Sequence, residues 1–153
     1  MYQKIMVPLD GSELAECVLP DVKAFIQGFS TVDISLVRVV KHDKPYHGED
    51  PVYMELAKKR EQEATSDAKD YLSKIAEQLK HDGASIHQEV LLGRVTDSLA
   101  DYTLKNDIDI IIIATHGYSG VTRWVRGSVA DKVLRSANVP VLMVRAPGTK
   151  GGI

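Results

Sequence analysis

The sequence predicts an α/β domain, a single open sheet of five parallel strands with helices on both faces. Short apolar runs alternate with longer segments of helical periodicity along the 153 residues. The run from Ile110 to Ala114 is apolar throughout, which is typical of a strand covered by helices on both sides. Polar residues follow the first and fourth apolar runs, at Asp10 and Thr115, so we expect these two loops to be neighbours at the carboxyl edge of the sheet.

The first strand and the first helix are predicted between residues 5 and 28. The strand covers Ile5 to Leu9, and Pro8, which has no N–H, marks the point where the chain leaves the sheet. Ser12 is expected to cap a helix that ends near Gly28, with a kink or an opened turn at Pro20.

A second strand and a long helix follow. Val32 to Val40 is mostly apolar and is predicted to be the strand. Lys41 to Pro51 is rich in charge, proline and glycine and is expected to be a mobile loop. The helix is predicted from Val52 to about Asp82, with Gly83 ending it. Its apolar stripe is Ala64, Ala68, Tyr71, Leu72, Ile75, Ala76 and Leu79.

The second half of the chain is predicted to contain three strands and two helices. Ile86 to Leu92 alternates weakly, as expected of a strand near the sheet edge, and Val95 to Lys105 is a short helix. Asn106 and Asp107 form the turn into the central strand at Ile110. Ser128 is expected to cap the next helix, and Val141 to Val144 is the fifth strand.

Composition narrows the function classes. The chain is 44% hydrophobic and 26% charged, with a formal net charge of −2, so it offers no basic field for nucleic acid. No segment is long and apolar enough for a membrane span, and the start lacks a signal-peptide pattern, so we expect a cytoplasmic protein without a membrane partner. The single cysteine, Cys17, is interpreted as a small packing residue, with a redox role as the alternative.

A glycine-containing loop and a capped helix start follow the central strand. Thr115-His-Gly-Tyr-Ser-Gly120 is small and polar, and Gly127-Ser128 opens the next helix. Unpaired N–H groups and the positive end of a helix dipole favour an anion such as phosphate, although glycines after a strand can also serve only a tight turn. The pattern is neither a P-loop, since no Gly-Lys-Ser/Thr closes it, nor the Rossmann glycine fingerprint.

Four stretches resemble the universal stress protein family: Pro8 to Ser12, Thr115 to Gly120, Gly127 to Ala130 and Val139 to Val144. The match covers Lys4 to Arg145 and leaves residues 146–153 as a flexible tail. The resemblance implies a Rossmann-like fold of the adenine nucleotide alpha hydrolase-like type. The nucleotide-binding members share a motif of two glycines, followed further along the chain by a third glycine and then a serine or threonine. This chain has Ala114 in place of the first of these glycines.

The resemblance also implies a binding site for ATP, AMP or ADP, with or without Mg²⁺. Asp10 would touch the adenosine end, the backbone at Val39 the adenine edge, and Ala114 the ribose. The complete predicted set is Pro8, Asp10, Val39, Ala114, Gly117, Arg126, Gly127, Ser128 and Val129. Within this set, Gly117, Gly127, Ser128 and Val129 would hold phosphates. Arg123 and Arg126 could add charge-assisted bonds or be solvated loop residues, and His116 could act near phosphate or only in loop structure.

The function predicted on this basis is an adenine-nucleotide-binding protein of stress response or signalling, whose nucleotide changes its conformation or partner choice. By the same resemblance, it would be a homodimer paired through Val141 to Val144. Two alternatives stay open. One is an ATP hydrolase or nucleotidyl transferase, although no catalytic residue is identified; the other is an interaction module without nucleotide.

Overall fold

The computed structural model describes residues 2–29, 31–42, 50–81, 83–115 and 129–146. Its strands are β1 (Lys4–Pro8), β2 (Val32–Val40), β3 (Ala84–Leu92), β4 (Ile110–Thr115) and β5 (Val141–Arg145). All four strand pairings are parallel, and the strands form one sheet in the order β3-β2-β1-β4-β5. The predicted five-stranded parallel sheet is confirmed.

The winding of the sheet reverses between β1 and β4. From β1 the chain adds β2 and β3 on one side, and it then crosses over to add β4 and β5 on the other. Ile5 in β1 pairs with both Ile34 in β2 and Ile110 in β4. The segments that follow β1 and β4 therefore leave the sheet side by side, at the position where open α/β sheets bind ligands.

Helices cover both faces of the sheet, as predicted. They are a 3₁₀ helix (Ala15–Val18), α1 (Leu19–Gly28), α2 (Pro51–Leu79), α3 (Val95–Lys105) and α4 (Val129–Ser136). α1 and α2 pack on one face, where Leu72 and Ile34 are fully buried. α3 and α4 pack on the other, where Leu99 and Val133 meet Ile111. Full burial of such a side chain contributes about 1.5–3 kcal/mol, so both layers stabilise the sheet.

The segment from Ser12 to Gly28 forms two helices of different type. The 3₁₀ helix ends at Val18, and Pro20 lies in the first turn of α1. Because the N–H groups of a first turn have no helical partner, proline is tolerated there. The kink or opened turn expected at Pro20 is thus the junction between the 3₁₀ helix and α1. The hydroxyl of Ser12 accepts a hydrogen bond from the N–H of Ala15 at 3.1 Å, and α1 ends at Gly28.

The long helix α2 differs from its prediction at both ends. It begins at Pro51, where Asp50 Oδ1 accepts a hydrogen bond from the N–H of Val52 at 2.9 Å. The prediction that Gly83 ends the helix is wrong, because α2 ends at Leu79. Gly83 instead has a φ of +89° in the turn into β3, where its carbonyl accepts a hydrogen bond from the N–H of Val32. Of the predicted stripe, Ala68, Leu72, Ile75, Ala76 and Leu79 are buried.

The sheet edges are β3 and β5. β3 was predicted to lie near an edge, and its side chains alternate between half-buried and exposed from Ala84 to His87, with none of the strand fully buried. Ala146, assigned to the tail by the sequence, is 8% exposed, and its N–H donates a hydrogen bond to the carbonyl of Thr115 at 3.3 Å. Residues 43–49 of the predicted loop and 147–153 of the predicted tail lie outside the described residues.

Candidate nucleotide site

A cleft of about 190 Å³ opens where β1 and β4 end side by side. Its walls come from the end of β1 and the following turn, from β2 and β4, and from the first turns of α3 and α4. Five of the nine predicted binding residues line it: Pro8, Asp10, Val39, Ala114 and Val129. The reversal of winding thus brings segments from both ends of the chain to one place.

The floor of this cleft is apolar. Val37, Leu99 and Ile113 are 1%, 2% and 5% exposed, and all three line the cleft. They belong to the core that α3 and α4 form with the sheet. Because a packed core holds its side chains in fixed positions, the floor is present before any ligand arrives. Such a surface suits the face of an aromatic ring and disfavours a charged group.

Ala114 contributes to the cleft mainly through its backbone. In the two-residue alternation of β4 its side chain follows Ile110 and Ile112, which pack in the core under α1 and α2. Ile111 and Ile113 face the opposite core, which forms the cleft floor. Since the methyl group of Ala114 is directed away from that floor, alanine is compatible with the position where the family pattern has glycine.

Asp10 is tied to the turn that follows β1. Its Oδ1 accepts hydrogen bonds from the N–H of Ser12 at 2.9 Å and from the hydroxyl of Ser12 at 2.6 Å. The Ser12 oxygen in turn accepts the bond from Ala15, at the start of the 3₁₀ helix. The carboxylate is therefore held at the rim of the cleft by local backbone geometry.

Asp10 is ionised at neutral pH. Burial raises the pKa of Asp10, but the hydrogen bonds from Ser12 and the positive charge of Arg38 together outweigh burial, and the net pKa is lower than usual. An ionised carboxylate only accepts hydrogen bonds. The partners that Asp10 can take are therefore donors such as sugar hydroxyls or an aromatic amino group.

Arg38 supports this turn and was not among the predicted site residues. Its guanidinium carbon lies 5.3 Å from the centroid of the Tyr71 ring, which is a cation–π distance. Gly11 has a φ of +88°, and a Cβ built on it would lie 3.0 Å from Nη1 of Arg38. The sequence could have pointed to Arg38, because it is the only Lys or Arg in the mostly apolar run from Val32 to Val40.

Tyr71 holds Arg38 from the side of α2. Its hydroxyl oxygen is buried close to the side chain of Glu16. Burial and, after it, the negative charge of Glu16 raise the pKa of Tyr71 far above its ordinary value. The ring is therefore neutral at any physiological pH, and its face is available to the guanidinium of Arg38.

The predicted phosphate contacts are only partly described. Val129, the first residue of α4, lines the cleft, so the amino end of this helix lies at the site. Gly117, Arg126, Gly127 and Ser128 lie outside the described residues, as do His116 and Arg123. Among the residues described, no group of three or more His, Cys, Asp or Glu side chains could hold a metal ion, and no helix has the length and apolar character to cross a membrane.

A sequence model of the universal stress protein family matches residues 1–145. The chain belongs to the universal stress protein family. The universal stress protein MJ0531 of Methanocaldococcus jannaschii is 30% identical to it, over 96% of this chain and 84% of that protein. The matched range runs from β1 to β5 and spans the positions of all nine predicted site residues.

Solved structures of universal stress proteins share the fold. The structure of MJ0577, also a universal stress protein of Methanocaldococcus jannaschii, has a TM-score of 0.79 at 28% identity and covers 99% of each chain. A universal stress protein in complex with cAMP has a TM-score of 0.64 at 19% identity, covering 95% of this chain and 98% of that one. A family protein from Arabidopsis thaliana with AMP bound has a TM-score of 0.62 at 12% identity, covering 95% and 93%.

Proposed function

We propose that this universal stress protein binds an adenine nucleotide, ATP in the first place, in the cleft between β1 and β4, and that the bound nucleotide changes its conformation or partner choice in stress response or signalling. One observation carries the proposal. Pro8, Asp10, Val39, Ala114 and Val129, which are far apart in the sequence, line a single cleft. The AMP and cAMP complexes of two proteins with this fold support it.

The cleft, called the adenosine cleft from here on, fits adenosine by its chemistry. Val37, Val39 and Ile113 offer an apolar surface for the purine ring. Asp10 offers a carboxylate that can accept hydrogen bonds from the ribose hydroxyls or from the adenine amino group. A carboxylate would repel phosphates, so the phosphates extend away from Asp10.

The phosphates are assigned to the start of α4. The N–H groups of a first helical turn lack helical partners and, with the helix dipole, favour anions. Val129 begins this helix at the cleft. In the proposal Gly117, Gly127 and Ser128 add backbone donors, and Arg126 adds a charge-assisted bond. Mg²⁺, where it accompanies ATP, would be held through the phosphate oxygens.

We further propose that the protein acts in the cytoplasm as a homodimer paired along β5. The N–H of Ile111 donates to the carbonyl of Pro140, and the N–H of Ala146 donates to the carbonyl of Thr115. By the two-residue alternation of a parallel pair, the even-numbered residues of β5 bond to β4. The N–H and carbonyl groups of Val141, Met143 and Arg145 then point to the outer edge, where a second copy can pair with them.

Thermal unfolding with ATP, ADP, AMP or adenosine, each with and without Mg²⁺, tests nucleotide binding. A ligand at 100 times its Kd stabilises the folded state by about 2.7 kcal/mol. Asp10→Asn should reduce the shift, whereas Glu13→Gln, at an exposed position of the same turn, should preserve it. Mass spectrometry of nucleotide released from the purified protein identifies the ligand, and phosphate release reports hydrolysis. No shift with any of the four compounds would overturn the proposal.

A further inference from the structure

A second cleft adjoins the adenosine cleft, and the two share Val95 and Val129 in their walls. The described residues that line it include four positively charged side chains and one carboxylate, Asp97, and we call it the cationic cleft; the four are Lys41, Arg94, Lys132 and Arg135. We propose that it is an anion-binding subsite for a ligand larger than ATP, a dinucleoside polyphosphate whose first adenosine lies in the adenosine cleft. This inference rests on the proposed function and specifies its ligand class.

The pairing of β2 with β3 assembles the cationic cleft. Val40 and Leu92 are partners at the carboxyl ends of these strands, and the N–H of Gly93 donates to the carbonyl of Val40 at 3.0 Å. Lys41 and Arg94, which immediately follow these residues, therefore emerge together. α4 adds Lys132 and Arg135 to the lining. Positive charge thus converges from three separate parts of a chain whose formal net charge is −2.

Acidic neighbours offset only part of this charge. Nη1 of Arg94 lies 3.7 Å from Asp97, and Nε of Arg135 lies 3.1 Å from Asp131. The side chains of both arginines are more than three-quarters exposed, and exposed ion pairs are weak. A guanidinium also has five N–H donors, so one carboxylate does not occupy it. Lys41 and Lys132 form no ion pair with another residue of the described ranges.

The lining of the cationic cleft fits more than a phosphate chain. Leu92 lies in its wall and is 49% exposed. Exposed apolar surface between cations offers nothing to an inorganic anion, but it can pack against the face of a base. A second nucleoside at the far end of a polyphosphate meets both features.

Calorimetric titration with diadenosine tetraphosphate, ATP and adenosine tests the subsite. The triple variant Lys41→Gln, Arg94→Gln and Lys132→Gln should bind diadenosine tetraphosphate about tenfold or more weakly, because charge-assisted hydrogen bonds are lost. Its affinity for ATP should fall less, and that for adenosine should not change. In the wild type the affinity for diadenosine tetraphosphate should fall steeply with added salt. The control triple variant Lys58→Gln, Lys69→Gln and Lys74→Gln removes the same charge from exposed positions of α2.

Each outcome separates this inference from the proposed function. Equal affinities of the two triple variants for diadenosine tetraphosphate would overturn the subsite, while ATP binding that Asp10→Asn weakens would leave the adenosine cleft standing. A wild type that binds none of the three compounds would overturn the proposed function. Binding of polyglutamate to the ATP-saturated protein, lost only in the first triple variant without any change for the tetraphosphate, would assign the surface to an acidic protein and overturn the inference.

Discussion

The guanidinium of Arg38 lies over Gly11, so close that a Cβ at Gly11 would be 3.0 Å from Nη1. The φ of Gly11 is +88°, in the left-handed region where other residues are strained. Through this contact, β2 and the turn that holds Asp10 depend on each other. A side chain at Gly11 would therefore affect both the stability of the turn and the position of the positive charge beside the Asp10 carboxylate.

Gly11→Ala is expected to lower the free energy of unfolding by about 1–2 kcal/mol, because the left-handed backbone disfavours a side chain. It should also weaken nucleotide binding, because Arg38 or the turn must move. Gly28→Ala is the matched control: Gly28 is the last residue of α1, and nothing lies within 4 Å of a Cβ there. Urea denaturation of both variants measures the effect, and equal losses would contradict it.

Arg38→Gln is expected to raise the pKa of Asp10, because a positive charge that lowers this pKa is removed. NMR titration of the carboxyl carbon measures the pKa directly. Lys23→Gln removes the same charge from an exposed position on α1 and should leave the pKa of Asp10 unchanged. If the pKa did not move in Arg38→Gln, the contact would have no electrostatic effect on the site.

The stability of the protein should depend on the ionisation of Asp10 in acid. Its folded-state pKa is lowered, so the carboxylate stabilises the fold fully above the unfolded-state pKa of about 3.9. That contribution is lost as the pH falls through the folded-state pKa. Asp10→Asn should therefore show a shallower loss of stability than the wild type in this pH range, as measured by denaturation at successive pH values. Identical slopes would contradict the linkage.

Ala114→Gly is expected to bind nucleotide no more tightly than the wild type. The methyl group packs in the core under α1 and α2 rather than in the adenosine cleft. Glycine within a strand should lower the free energy of unfolding by about 0.5–1 kcal/mol. Calorimetric titration and urea denaturation test the two parts. Clearly tighter binding would mean that the methyl group crowds the ribose.

Asp109 is expected to contribute stability without affecting binding. Its Oδ2 accepts hydrogen bonds from the N–H groups of Gln3 and Lys4, both at 2.9 Å, at the amino edge of the sheet opposite the cleft. Asp109→Ala should lower the free energy of unfolding by about 1 kcal/mol and leave nucleotide affinity unchanged. Asp101→Ala, at an exposed position on α3, is the control. A loss of affinity in Asp109→Ala would contradict the separation of the two edges.

Met143→Pro is expected to convert the proposed homodimer to a monomer. By the alternation of β5, the N–H of Met143 points to the outer edge, so proline removes a donor to the second copy without removing a bond to β4. Met143→Ala keeps the N–H and should remain dimeric. Light scattering at micromolar concentration distinguishes the two states, and a Met143→Pro dimer would exclude pairing along β5.

The strands and most helices could be predicted because their residues carry the pattern locally. Val32–Val40 and Val95–Lys105 have the predicted bounds, since an apolar run and a helical period both stop there. The end of α2 could not be predicted from Gly83. Beyond Leu79 the stripe has no further residue to bury, and Lys80 already has a non-helical ψ of 121°, so the helix stops before the glycine.

Site residues that lie in a strand or directly after one could be predicted from the sequence. Residues that come together only through the pairing of strands could not. Asp10 and Ala114 stand at the ends of two apolar runs, and the parallel sheet brings such ends together. Lys41, Arg94 and Lys132 are each unremarkable charged residues in the sequence. They converge only because β2 pairs with β3 and α4 returns over the same edge, which no local pattern reports.

β1 and β4 are neighbours in space, yet most of the polypeptide lies between them in sequence. Contacts between residues so far apart in sequence are generally slow to form, because a long loop has to close first. Any molecule bound across their ends would act as a noncovalent cross-link between these two distant segments of the chain. Such a molecule would slow the unfolding of the whole sheet more than the local fraying of either edge strand. The resistance of the protein to proteases would then depend on the cellular concentration of that molecule.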